Sequence, residues 1–294
     1  MIALLSHVIN GALTGLLFAL ISMGFVIIYR SARVFNFAQG EVVVMGAFIL
    51  WSFTQYFGLP MWLSIVLTLA SSAVLGLLTE RIILRPLVGE ELFALVMVTI
   101  GLLVFLRGAI LVIWSADVHF IPPIFAAAGI RVGPLVVDKT LAIGGGITLV
   151  LAAAFSWFFN RTRMGMEMTA VAEDHQIALS LGLKVKRSIA LAWAISGVLC
   201  AIAALTFVSG KGMTFMVGDI GLAALPVALL AGLESIGGLI LAGLLVGISM
   251  GFAEHFLDPP LQGGVGAVFP FFIMIIVLLI RPTGLFGWKT IERI

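Results

Sequence analysis

Long apolar runs, separated by short polar or glycine- and proline-bearing stretches, fill almost the whole chain. Stretches long enough to cross a hydrocarbon layer of about 30 Å as a helix of about 20 residues fall at 4–29, 37–57, 61–79, 92–114, 140–159, 189–208, 220–233, 237–256 and 265–280. The seventh is short, so the pattern predicts eight or nine spans. Helices are the default, because an unpaired backbone amide in hydrocarbon costs several kcal/mol, and the polar–apolar alternation of a membrane barrel is absent. The predicted fold is all-α: a polytopic transmembrane helical bundle forming one domain over residues 1–294.

Composition sharpens this picture. Of 294 residues 62% are hydrophobic and only 10% charged, and the mean hydropathy is +1.25. Soluble domains carry roughly 25% charged residues, so a water-facing coat is out of reach and a soluble globular protein is excluded. No basic cluster interleaves with aromatics, which excludes a nucleic-acid partner; the surrounding partner is membrane lipid. The first 29 residues hold no Lys or Arg, which reads as a retained helix and not a cleavable signal. Cys200 stands alone in an apolar run and reads as a small packing residue.

Basic residues set the expected orientation. One set of connections and the tail hold Arg30, Arg33, Arg81, Arg85, Arg161, Arg163, Lys184, Lys186, Arg187, Arg281, Lys289 and Arg293, against Arg131, Lys139 and Lys211 on the other side. The N-terminus is therefore expected outside and the C-terminus in the cytoplasm. The external loop 115–139, with Pro122, Pro123, Gly129, Gly133 and Pro134, reads as an irregular cap or a short surface helix. The cytoplasmic loop 160–188 differs: Ala172 to Leu181 fits a short amphipathic helix closed by Gly182 in a left-handed cap, a docking element.

Polar residues at the edges of spans are few. Asn36 reads as an N-cap, Gln39 as its capping-box partner three residues on, and Glu41 as a first-turn carboxylate facing the positive helix end. The competing reading is a helix break within the membrane whose half-helix ends face a pathway. Gly237 and Gly238, after Glu234 and Ser235, mark a second break, while Gly243, Gly247 and Gly251 recur at four-residue spacing and read as a helix-packing face, within the subunit or across a dimer seam. Arg107 is the one basic residue inside a span, marking an outer vestibule or snorkelling outward. Enzymatic readings fail. There is no HExxH, the four histidines are scattered, a pair of intramembrane aspartates is missing, and no Walker A sequence is present.

The segment RTRMGMEMTAVAEDHQIALSLGLKVKRSIALAWAISGVLCAIAALTF resembles the coupling loop of bacterial ABC-importer permeases of the branched-chain amino acid class, the LivH type. NGALTGLLFALISMGFVIIYRSARVFNFAQGEVVVMGAF is similar to that family's opening helix and Asn-Phe-Ala-x-Gly-Glu motif, ALPVALLAGLESIGGLILAGLLVGI to its small-residue segment, and LLIRPTGLFG to its C-terminal ending. The resemblance implies a multi-pass permease of the bacterial inner membrane with no cofactor, ATP being bound by partners. It further implies two ATP-binding cassette subunits, a periplasmic substrate-binding protein, and a second, LivM-like permease, favoured over a second copy of this chain. Glu173, Asp174, Ala178, Leu181 and Gly182 become the candidate ATPase contacts; Asn36, Gln39, Glu41, Glu234, Gly237 and Gly238 become candidates for the path or its gate. The cargo implied is a hydrophobic, branched-chain amino acid, with urea, short amides or aromatic acids as alternatives within the class and a stand-alone secondary transporter or channel as the alternative outside it. A topology reporter fused after Ile294 is expected to read as cytoplasmic; an external signal would overturn the orientation.

Overall fold

The computed structural model describes residues 2–87, 89–125, 129–132, 135–173, 175–261 and 263–287. Eleven helices succeed one another among them: α1 (Ile2–Ala32), α2 (Gln39–Trp51), α3 (Met61–Leu78), α4 (Leu92–Trp114), α5 (Lys139–Arg161), α6 (Arg163–Glu173), α7 (His175–Ser180), α8 (Val185–Phe207), α9 (Ile220–Ala231), α10 (Ile236–Phe256) and α11 (Val265–Ile280). Each predicted span contains one of them, and the two extra short helices, α6 and α7, occupy the loop 160–188. Six helical segments are long and apolar enough to cross a membrane: Leu4–Ala32, Met61–Leu87, Phe93–Trp114, Lys139–Arg161, Val185–Phe207 and Ile236–Phe256. The remaining predicted spans fall on the shorter apolar helices α2, α9 and α11. The α3 helix runs on through a π-helical stretch Thr79–Leu84, within which the buried Glu80 takes both ends of a fork from Arg85 at 3.1 and 3.2 Å.

The loop 115–139 is neither irregular nor helical throughout. It holds an antiparallel hairpin of β2 (Ile130–Val132) and β3 (Leu135–Val137), and its β1 (His119–Phe120) pairs with β4 (Gly212–Met213), just after α8. Strand pairing satisfies amides that a proline-rich stretch leaves without a helical partner. Asp138 then caps α5, accepting from the amides of Thr140 and Leu141 at 2.8 and 3.2 Å.

Helix α1 is the axis of the bundle. Most of its apolar length is buried, whereas α3, α4 and α5 turn most of theirs outward. Around it lie α5, α8, α9 and α10, with Leu17, Leu20, Ile21, Met23 and Phe25 fully enclosed. A helix that is apolar all round is what a central position requires. Its closest neighbour is α10, and the contact is made by backbone: Gly11 and Gly15 face Gly243, Gly247 and Gly251, so that an added Cβ at any of them would overlap the opposite main chain. The three glycines of α10 therefore pack within the subunit, against α1. In lipid, where no hydrophobic force draws helices together, such close approach supplies dispersion contact over the whole seam. Gly247→Leu would force a side chain into the carbonyl of Gly11 and the Cα of Gly15. We expect loss of most folded protein in the membrane fraction and, for Gly247→Ala, destabilisation of about 1–3 kcal/mol; normal levels and melting of both variants would refute the seam.

Candidate functional site

Two clusters of polar side chains interrupt the apolar bundle. The first forms where α2 and α9 begin. After Ala32 the chain leaves α1 through Arg33, whose φ of 53° lies in the left-handed region, and runs without helix until Gln39. Its return path leads back into the bundle. The Gln39 side-chain amide donates to Ser196 Oγ and Cys200 Sγ of α8, both at 3.0 Å, and lies over Gly24 of α1, where any Cβ would collide with it. Gly24 sits about 12 Å inside the end of α1, at 1.5 Å per residue, so α2 starts deep in the bundle. The capping expectation is corrected here. The N-cap is Ala38, without a side-chain bond; Asn36 instead accepts from the Ala38 amide at 3.1 Å and donates to Gln39 Oε1 at 3.0 Å. Asn36, Gln39 and Ser196 thus form a closed buried chain of hydrogen bonds, the condition under which amides are tolerated in hydrocarbon.

Helix α9 begins at the same place, after a 3-10 turn over Phe215–Asp219. Gly40 rests directly on Gly218 and Gly221, a contact open only to residues without Cβ. Ser22 of α1 donates to the carbonyl of Ala224 at 2.8 Å and holds α9 from behind. Both starts carry an acid: Glu41 in the first turn of α2 and Asp219 at the N-cap of α9. Arg107, from α4, joins them. Its Nη2 lies 2.6 Å from Glu41 Oε1 and 2.8 Å from Asp219 Oδ1, and its Nε donates to Glu41 Oε1 at 2.8 Å. Arg107 therefore neither stands alone nor snorkels. The sequence marks Arg107 without a partner; the signal for Asp219 is that lone opposite charges in an apolar chain must find each other.

The second cluster lies at the arginine-rich end. Arg33 donates to Glu234 and to Glu173, each at 2.5 Å, and its Nε reaches the carbonyl of Ala172 at 3.4 Å. One side chain thereby ties α1 to α6 and to the turn between α9 and α10. Partial burial lowers the affinity of the Arg33 guanidinium for its proton, but the hydrogen bonds of Tyr29 and Glu234 and the charges of Glu173 and Glu234 outweigh it and raise the pKa above its ordinary value. Beside it Arg30 stacks over Phe159, 4.4 Å from the ring centre, and reaches Thr169 Oγ1 at 3.3 Å.

The loop that carries Glu173 forms two helices, α6 and α7, where the sequence predicted one helix from Ala172 to Leu181. Gly182 does take the left-handed conformation, φ 76°, and the amides of Gly182 and Leu183 bond back to Leu179 and Ala178 at 3.0 Å, a Schellman closure. Asp174 lies outside the described residues. Ala178 is corrected from a docking residue to a packing one, being buried against Ile28, Val34, Leu84 and Trp193. Exposed apolar side chains at Ile177, Leu179 and Leu181 make up the outward face instead. Gly237 and Gly238 are likewise moved: the break is the turn Gly232–Ser235, and both glycines stand in the first turn of α10, Gly238 under Phe286 and donating its amide to Ser235 Oγ at 3.0 Å. The ending 282–287 seals this turn, the Leu285 amide donating to the Leu230 carbonyl at 2.7 Å and Gly284 and Gly287 lying on Gly232.

An all-α membrane bundle with two helices that start inside it and a charged cluster at their junction defines a polytopic membrane protein built around a polar interior. Residues 7–278 match the family model described as "Branched-chain amino acid transport system / permease component". The chain belongs to this family. It is a multi-pass membrane permease of the bacterial ABC-transporter type, not an enzyme; the family works with a partner ATPase and has no cofactor in the permease itself. Among relatives, the "High-affinity branched-chain amino acid transport system permease protein BraD" of Pseudomonas aeruginosa is 28% identical over 99% of this chain and 98% of its own. LivH of Escherichia coli, with the same description, is 28% identical over 99% of this chain and 97% of its own. A "Fructose import permease protein FrcC" of Rhizobium meliloti is 26% identical over 71% of this chain and 55% of its own.

Replacing Gln39 by Ala strands the Asn36 amide and Ser196 in a buried setting. The expected cost is about 1–3 kcal/mol, read as earlier thermal unfolding of the detergent-solubilised protein; an unchanged melting curve would show that the α2 start does not depend on this chain of hydrogen bonds.

Proposed function

We propose that this chain is one half of the transmembrane channel of an ABC importer that carries a branched-chain amino acid inward across the plasma membrane. Its partners in this reading are a second, LivM-like permease, two ATP-binding cassette subunits and a periplasmic or surface substrate-binding protein. The arginine-rich end faces the cytoplasm, in line with the distribution of basic residues. There the ATPase docks on α6 and α7 through Glu173, Leu179, Leu181 and the loop at Gly182.

One observation carries the coupling part of this reading: Arg33 holds Glu173 of the docking loop and Glu234 of the α9–α10 turn at once. A push on α6 is thereby delivered to α1 and to the end of the half-helix whose other end lies at the charged junction, and packed interfaces pass such movement on as discrete shifts. The left-handed cap at Gly232 and the bond of the Leu285 amide to the Leu230 carbonyl define the end of α9 at the same place. The cargo part rests on the family and on the names of the two full-length relatives. Urea, short amides and aromatic acids are the alternatives within the class. The fructose permease relative keeps a small uncharged solute as the second reading.

The test is uptake of labelled leucine by the complex reconstituted with its binding protein. Uptake is expected to require ATP and all subunits. Glu173→Arg is expected to lower it about tenfold, equivalent to roughly 1.4 kcal/mol in the coupling equilibrium, with the subunits still co-purifying. Leucine movement by the chain alone without ATP would restore the stand-alone transporter, and unaffected uptake in Glu173→Arg would remove the coupling role of Arg33.

A further inference from the structure

Packing and coupling leave part of the α2–α9 junction unexplained. The Glu41 side chain is 1% exposed, yet only its Oε1 is bonded; Oε2 is buried without a hydrogen-bond partner. A buried carboxylate oxygen left open is rare and costly. The opposite side of the cluster is accessible, with the side chains of Arg107 and Asp219 at 33% and 62% exposure. Ion pairs kept for cohesion alone are expected to be closed and fully partnered; this one is open and has an acceptor to spare.

Its charge points to a ligand class. Glu41 and Asp219 outweigh Arg107 by one negative charge, and two helix starts contribute roughly half a positive charge each. The junction is close to neutral while presenting both signs within a few ångströms. A net cation or net anion gains little there, whereas a neutral molecule that carries a positive and a negative group on one carbon meets a partner for each. Moving such a molecule through hydrocarbon without partners costs several kcal/mol per charge.

We propose that this junction is a transient binding site for the zwitterionic head of a free α-amino acid. The ammonium is taken by Glu41 Oε2 and Asp219, and the carboxylate by Arg107. Binding exchanges one ion pair for two: Asp219 gives up Arg107 to the ligand carboxylate and takes the ammonium. No proton or covalent bond changes hands. The inference rests on the importer reading and narrows its cargo to zwitterions, leaving out urea, neutral amides and sugars.

The experiment uses the whole reconstituted complex. Arg107→Gln and Asp219→Asn are expected to cut leucine uptake at least about tenfold, the effect of roughly 1.4 kcal/mol, while ATP hydrolysis remains stimulated by the loaded binding protein. A second readout is local. Met216 is exposed and shares an edge of the 3-10 turn with Asp219, since residues three apart eclipse there; the native Cys200 is buried. In a Met216→Cys complex without binding protein, millimolar L-leucine is expected to slow modification by a small thiol reagent. Neither 4-methylpentanoate nor isoamylamine, each lacking one charge, is expected to do so, and Arg107→Gln is expected to abolish the effect. Equal protection by the single-charge analogues, or full uptake in both variants, overturns the site. If Arg107→Gln fails to assemble, Asp219→Asn decides, because that side chain is 62% exposed and asparagine keeps its size and an oxygen that accepts from Arg107. Absence of ATP-dependent leucine uptake in the wild-type complex sinks the importer reading and the site with it, whereas intact uptake in both variants sinks the site alone.

Discussion

A helix cannot begin in hydrocarbon without something to receive its first amides and its positive end. This chain has two such beginnings, placed against each other, and much of its architecture follows from having to satisfy them. Glycine at positions 40, 218 and 221 lets the two ends touch. Acids at 41 and 219 answer the dipoles, and Arg107 from a third helix holds the acids together. The entry to α2 requires the chain to turn back into the bundle, which is why α1 and α8 present Gly24, Ser196 and Cys200 at that level instead of large apolar residues.

The far end of the same assembly is organised by a single arginine. Arg33 sits at the point where α1 ends, α6 passes and α9 turns into α10. These ion pairs are partly solvated, and exposed pairs contribute only about 0–1 kcal/mol each. Their weakness suits a joint that must be remade in every cycle, while the glycine seam of α1 and α10 keeps the levers themselves intact. Strong contact is spent on the parts that move together, and weak contact on the places where they meet.

Much of this could be read from the chain. Apolar run length placed every helix of the bundle, the four-residue spacing of Gly243, Gly247 and Gly251 announced close packing, and Gly182 announced its left-handed cap. What stayed hidden has a common cause. Residues 33–38 are themselves mostly apolar, so hydropathy alone does not separate a re-entrant strand of chain from the start of a span. The capping rule assigned Asn36 and Gln39 to local amides because it assumes a helix that starts at a surface. Partners more than 150 residues away on α8 claim Gln39 instead. Ala178 went astray because a six-residue helix has too little periodicity to say which side faces inward. Arg107, Asp219 and Arg33 have no motif at all; only charge balance inside an apolar medium connects them.

The central place of α1 also bears on how the protein is made. Helix α1 is made before every helix that packs on it, and its glycine face waits for residues 243–251, emitted more than 200 residues later. Until then the small-residue face stays uncovered in the bilayer, while α5, α8 and α9 can already pack on the other sides of α1. Closure of the α1–α10 seam is therefore set by the arrival of α10 and not by the insertion of α1.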